Sequence, residues 1–298
     1  MQSMRRRGRM ATDSTEAFEN FLSWLVPTDA NRAAAASHRS SLYSKLNSAY
    51  GLYRMFESGS FSHGTGVSGY SDVDYFVSLK TDRPAYSSSI LTSVRDTLKE
   101  RYPNTVIQVR RPAVVVNFGS GYETCEVIPA YAQGNVREGE MKFLIPGVTT
   151  EWLESTPESH LKYVNSCNAK PGEGYAKSFA RLIKAWKYYR DVPISSFYLE
   201  MRAAKYISGQ TTVVYAYDLA FFLEELSDGG LAAMNDPTGS TGRIEPCSSD
   251  AKRTEALSKL QTAATRARNA LEANKKGDNR TAFYYWDQLF NGHFPAYY

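Results

Sequence analysis

The sequence predicts an α+β fold in two parts, a mixed half followed by a helical half. Three observations lead there. Short Val/Ile-rich runs bounded by turn residues cluster between residues 73 and 128, helical periodicity dominates beyond about residue 150, and no run approaches the ~18 apolar residues of a membrane-spanning helix. The 298 residues, 42% hydrophobic and 22% charged, suffice for one large domain or two packed units. With 20 Gly and 12 Pro the chain is neither low-complexity nor disordered. The division is expected at 155/156, with the N-terminal helices belonging to the mixed lobe, 1–155, and the helical lobe covering 156–298.

Taken in order, Ser14 is a candidate cap for a helix carrying Phe18, Phe21, Leu22 and Leu25 at helical spacing before Pro27. Ala33 to Phe56 reads as a second helix, with Leu42, Leu46, Ala49, Tyr50 and Tyr53 on one side. Ser58 to Ser71 is Gly/Ser-rich and reads as a loop. Val73 to Leu79 reads as a strand, and Ser88 to Tyr102 as a helix through Ile90, Leu91, Val94 and Leu98. Val106–Arg110, Ala113–Phe118 and Tyr122–Ile128 read as three strands separated by Arg-Pro and Gly-Ser-Gly turns. Helices follow over Gly174–Arg190, Ser196–Ile207, Thr212–Leu226 and Asp250–Ala273.

Net charge is only +4, too mild for a coat that binds nucleic acid. The run Arg5-Arg6-Arg7-Gly8-Arg9 leads into polar residues rather than an apolar stretch, so it reads as a basic tail and not a secretory signal. Cys125, Cys167 and Cys247 stand far apart, which suggests neither zinc nor disulfides and fits a reducing cytoplasm. His38, His160 and His293 show no metal-ligand spacing, and His63 reads as a solvated loop residue. The aromatic end, Phe283 to Tyr298, reads as a packed helix followed by an exposed tail that a regulatory protein could capture.

The chemistry concentrates in Gly59-Ser60 and, eleven residues further on, Asp72-Val73-Asp74. Side chains two apart on a strand share a face, so the two aspartates project together and repel unless cations neutralise them. Mg²⁺ prefers such oxygen ligands together with substrate phosphates, and a Gly-rich loop supplies backbone N–H groups to a phosphate. Glu126, flanked by apolar Cys125 and Val127 in a strand, is the best third carboxylate, because a charge in an apolar strand needs a partner or a metal. Taken alone, an Asp-x-Asp pair reads equally well as a solvated turn pair.

The ordered set of motifs resembles the polymerase-β-like nucleotidyltransferase superfamily and, within it, the bacterial cGAS/DncV-like nucleotidyltransferases (CD-NTases), relatives of oligoadenylate synthase. Gly59-Ser60…Asp72-Val-Asp74 resembles the signature; Cys125-Glu-Val-Ile-Pro-Ala130 the third-acid strand; Arg181-Leu-Ile-Lys-Ala-Trp186 a triphosphate-binding helix; Ser196-Phe-Tyr-Leu-Glu200 and Asn235-Asp-Pro-Thr-Gly239 two later motifs. The likeness covers roughly residues 40 to 270. Two positions depart from the usual pattern: Glu126 stands where aspartate is commoner, and Phe197 where tyrosine is commoner.

The resemblance implies a nucleotidyltransferase core with a mixed sheet, closed by an oligoadenylate-synthase-like helical lobe. It further implies the Mg²⁺-dependent joining of ATP, GTP or another NTP into a cyclic di- or trinucleotide, with loss of pyrophosphate, in antiphage signalling of the CBASS type through a downstream effector. Asp72, Asp74 and Glu126 would hold two Mg²⁺, with Mn²⁺ as a substitute, and Glu126 would help deprotonate the attacking hydroxyl. Gly59 and Ser60 would grip phosphates, Lys184 the triphosphate with Arg181 and Ser196 beside it, and Phe197 would stack on the base. Linear oligonucleotide synthesis, tRNA or protein nucleotidylation, and an inactive nucleotide sensor are the rival readings. With no zinc insert and no basic patch, activation by nucleic acid is not expected.

Overall fold

The computed structural model describes residues 10–28, 33, 37–70, 72–119 and 123–298, and the basic run Arg5–Arg9 lies outside them. The chain forms two compact units. The mixed unit comprises 27–165 and 235–243, and the helical unit 166–234 and 244–298 together with the N-terminal residues up to 26.

The mixed unit is built on a seven-stranded sheet. Its strands are β1 (Leu52–Ser58), β2 (Val73–Leu79), β3 (Val106–Arg110), β4 (Ala113–Phe118), β5 (Glu123–Arg137), β6 (Glu140–Pro146) and β7 (Trp152–Ser155). The order is β1-β2-β5-β4-β3, with β6 paired to the far half of β5 and β7 to β6. Only β2 and β5 run parallel; the other pairs are antiparallel, so the sheet is mixed. The crossover from β2 to β5 passes through helix α4 (Ser87–Arg101) and the β3–β4 hairpin. Ile90, Leu91, Val94 and Leu98 of α4, with Leu42 and Leu46 of α2 (Arg39–Tyr50), cover one face of the sheet. Val73, Tyr75, Val77, Cys125 and Val127 meet them there. Alternation then sends residues 72, 74 and 126 to the opposite face.

Two elements differ from the sequence reading. The helical pattern over 33–56 stops at Gly51, whose φ of +60° suits glycine, and Leu52–Ser58 becomes strand β1 because it completes the edge of β2. The described part of the expected loop, Ser58–Tyr70, is no open loop: Gly59–His63 forms a short helix, α3, and His63, Thr65 and Val67 are buried. The solvated role expected of His63 therefore fails; it ends α3 as a buried residue. Strands β6 and β7 went unread.

The helical unit contains α1 (Ser14–Leu25), α6 (Tyr175–Tyr189), α7 (Ser196–Ser208), α8 (Tyr215–Asp228), α9 (Asp250–Lys275) and α10 (Asn279–Leu289). Helix α5 (Pro157–Asn168) carries the chain out of the mixed unit. Whereas the sequence division puts the N-terminal helices with the mixed lobe, α1 packs here through an aromatic cluster: Phe18 lies 5.0 Å from Trp286 and Phe21 4.6 Å from Phe290, ring centre to ring centre. Its cap is Asp13, whose side chain accepts from Glu16 N, while Ser14 is buried and bonds Asn274. The C-terminal residues are not a free tail. Phe294 is buried against Phe18 and Phe21, and Tyr298 N donates to Ala11 O, leaving Tyr298 the most exposed. All three cysteines are free thiols. Among the described residues no helix is long and apolar enough to cross a membrane.

Candidate active site

The acids come together on the face of the sheet turned away from α2 and α4. In the parallel pairing of β2 with β5, Asp74 stands directly opposite Glu126, and Asp72 lies two residues before Asp74. Side chains opposed in this way share a face, so strand register alone aligns the three carboxylates. Asp72 and Glu126 are held by a residue the sequence reading missed. Arg110, at the end of β3, places Nη2 3.2 Å from Asp72 Oδ2, and the same nitrogen donates a short bond to Glu126 Oε1. Burial, then the negative charge of Glu126, pushes the Asp72 carboxyl up to about 6, although Arg110 pulls it back. Burial alone would lower the Arg110 pKa, but Glu126 and Asp72 more than reverse this and hold the guanidinium above its usual range. No local signal singles out Arg110, because it reaches Glu126 across the intervening strand β4.

Gly59 explains its own presence. Strand register sets Ser58 opposite Asp74, so the chain leaving β1 runs directly past that carboxylate. A Cβ on Gly59 would stand 1.9 Å from Asp74 Oδ2, and its φ is +61°. Ser60 follows in α3, and its carbonyl accepts from Thr65 N at 2.9 Å.

The residues fit hard divalent cations. Three oxygen-donor carboxylates share one face, the missing Cβ of Gly59 leaves room beside Asp74, and two of the acids already grip a cationic group. The fit is not a finished cage. Among the described residues no three carboxylate, imidazole or thiol side chains stand close enough to hold one ion.

The helical unit carries the other expected residues. Lys184 on α6 is wholly buried, with Nζ 3.0 Å from Oε2 of the equally buried Glu200 on α7. Arg181 is buried one turn earlier. Ser196 opens α7, with Oγ 3.2 Å from the Tyr188 hydroxyl. Phe197, next to it, is 37% exposed and is not a core aromatic.

A second polar centre lies in the mixed unit. Asp236, buried, accepts from the backbone N–H and hydroxyl of both Thr238 and Thr241 and pairs with His160 Nε2 at 3.2 Å. Burial opposes the charge, but His160 and Thr238 overcome it and hold the carboxyl far below the usual range. With Arg137 Nη2 donating to Thr238 O at 3.2 Å, this fastens the 235–243 loop to its unit. His160 is thus a structural partner. His38 and His293 likewise stack on Phe118 and Tyr189.

A mixed sheet with an Asp-x-Asp pair opposite a third acid, next to a Gly-Ser turn, is the arrangement that the resemblance to polymerase-β-like nucleotidyltransferases implies. The model of the Second Messenger Oligonucleotide or Dinucleotide Synthetase domain (SMODS) matches residues 10–168, just over half of the chain, and the protein belongs to that family of nucleotidyltransferases. The fold is that of solved CD-NTases. Escherichia coli MS115-1 CdnC, solved with ATP, superposes with a TM-score of 0.73 at 18% identity, over 95% of this chain and 99% of that one. Vibrio cholerae DncV cyclic AMP-GMP synthase, solved with a linear pppA(3′,5′)pG intermediate, gives 0.70 at 13% identity over 96% and 97%. Bradyrhizobium diazoefficiens CD-NTase CdnG, solved with GTP, gives 0.69 at 12% identity over 94% and 98%. Comparison with curated proteins gives no sequence match.

Proposed function

We propose that this enzyme joins nucleoside triphosphates, ATP, GTP or both, into a cyclic di- or trinucleotide second messenger. In this reading the product acts through a downstream effector in bacterial antiphage signalling. The observation that carries the reading is the register of Asp74 with Glu126, which gathers three carboxylates on one face in a chain of the SMODS family. The nucleotides bound in the CdnC and CdnG structures, and the cyclic AMP-GMP synthase activity in DncV's description, support the substrate class.

Asp72, Asp74 and Glu126 would hold two Mg²⁺, or Mn²⁺, which when bound supply polarisation of the attacking hydroxyl and neutralisation of the leaving pyrophosphate. The chain's own residues do the rest. Gly59 and Ser60 hold phosphates; on the helical unit Phe197 offers its exposed ring to a base, while the Lys184 ammonium expected at a triphosphate is already paired with the buried Glu200. Glu126 accepts the proton of the sugar hydroxyl as its oxygen bonds to the α-phosphorus and the α–β phosphoanhydride breaks, releasing pyrophosphate.

The test is purified protein incubated with radiolabelled NTPs, singly and mixed, with Mg²⁺ or Mn²⁺, then phosphatase and thin-layer chromatography. A phosphatase-resistant product that disappears in Asp72→Asn/Asp74→Asn is expected. A phosphatase-sensitive product would reassign the enzyme to linear synthesis. The absence of any new product in every mixture, and in phage-infected cells, would overturn the reading.

A further inference from the structure

Arg110 occupies an unusual position. One guanidinium nitrogen bridges Asp72 and Glu126 from a strand that contributes no other member of the site. Its side chain is 58% exposed while the Glu126 side chain is 18% exposed, so the arginine approaches from solvent and can leave towards it. A guanidinium brings a single charge and five N–H donors, and it satisfies carboxylate oxygens in the direction a metal ion would otherwise take. It also accounts for the absence of a ready three-ligand cage: two of the three acids are turned onto Arg110.

We propose that Arg110 is a resident counter-cation that holds Asp72 and Glu126 together before metal arrives and is displaced when a divalent ion binds, so that it sets the metal threshold of the enzyme. This rests on the metal reading of the acids given above. It makes Arg110 a positioning residue that competes with the metal, which a purely architectural arginine would not do. An architectural arginine, once removed, lets the acids splay and weakens metal binding. A competing one, once removed, leaves them unsatisfied and tightens it.

The experiment measures Mn²⁺ binding to the nucleotide-free protein at pH 8 by the electron paramagnetic resonance signal of free Mn²⁺. Arg110→Gln is expected to bind Mn²⁺ about five- to tenfold more tightly than wild type, the worth of two half-exposed ion pairs. It is also expected to melt lower without metal and to gain more than wild type on adding Mg²⁺. Unchanged or weaker Mn²⁺ binding by Arg110→Gln overturns the proposal. If that variant does not fold, Arg110→Met, which removes the charge and keeps an unbranched side chain, decides in the same way: tighter binding supports displacement, equal or weaker binding refutes it. Asp72→Asn/Asp74→Asn separates the two readings. Should it bind Mn²⁺ as well as wild type, the acids are not the metal site, and the metal reading fails independently of Arg110.

Discussion

Gly59 gives the sharpest test of the active-site geometry. Replacing it with alanine does two separable things. The φ of +61° becomes a strained conformation for an L side chain, costing about 1–2 kcal/mol. The new Cβ also lands 1.9 Å from Asp74 Oδ2 and 2.7 Å from its Cγ, so the carboxylate must withdraw by about 1 Å to reach a tolerable contact. A shift of that size at a reacting centre is worth about 10²-fold in rate. The strain should lower Tm by about 3–6 °C. Gly69→Ala is the control: its φ is +81°, but a Cβ there meets nothing within 4 Å, so it carries the strain without the collision. Differential scanning fluorimetry and a pyrophosphate-release assay with saturating Mg²⁺ read both effects. The expected outcome is similar loss of Tm in both variants but loss of turnover in Gly59→Ala alone. Wild-type turnover in Gly59→Ala, or an equal loss in Gly69→Ala, would refute the placement of Asp74 against the Gly-Ser turn.

Other outcomes follow from particular contacts. Glu200→Ala strands the buried Lys184 ammonium and should cost about 3–5 kcal/mol in urea unfolding, much of it recovered in Lys184→Met/Glu200→Leu, which removes both charges. Asp236→Asn should cost about 3 kcal/mol, since charge-assisted hydrogen bonds to a buried acceptor are lost. Because the folded pKa of Asp236 is depressed, its stabilisation is complete above the unfolded value near about 3.9 and is lost as pH falls below it. The variant should therefore show a flatter acid limb in its stability profile. Phe197→Ala, at an exposed position, should leave Tm unchanged within about 2 °C yet raise the nucleotide KM roughly tenfold, the worth of one stacked base. A large loss of Tm with unchanged KM would make the ring structural.

How much of this was legible depended on whether the information was local. The period of two put Asp72 and Asp74 on one side of a strand, and the apolar neighbours of Glu126 marked it as exceptional; both are properties of short segments. What the sequence could not show was register. Nothing in residues 52–58 distinguishes a strand from the end of a helix until Met55 and Phe56 pair with Val77 and Phe76. Arg110 is sixteen residues from Glu126, and its role exists only because the β3–β4 hairpin brings it back over the neighbouring strand. The burial of His63 and Lys184 is likewise tertiary: a loop histidine and a lysine on an amphipathic helix look solvated until packing decides. His160 and Asp236, 76 residues apart, show the same limit.

The one departure in the third acid takes on meaning through this geometry. Val115 of β4 lies opposite Glu126, and Gln108 of β3 lies opposite Val115, so the row from β5 to β3 spans two inter-strand spacings, about 9.5 Å. Arg110, two residues beyond Gln108 on the same face, must reach back across that distance, and the acid must reach out to meet it. An aspartate at position 126 would reach one methylene less far towards Arg110 than the glutamate does. The longer arm has a drawback, since glutamate has more rotamers to lose than aspartate and is the less well-fixed ligand. In the metal-free protein the Arg110 bond takes up that freedom by holding the carboxylate on the side of Asp72. Glutamate at 126 and arginine at 110 therefore form one device.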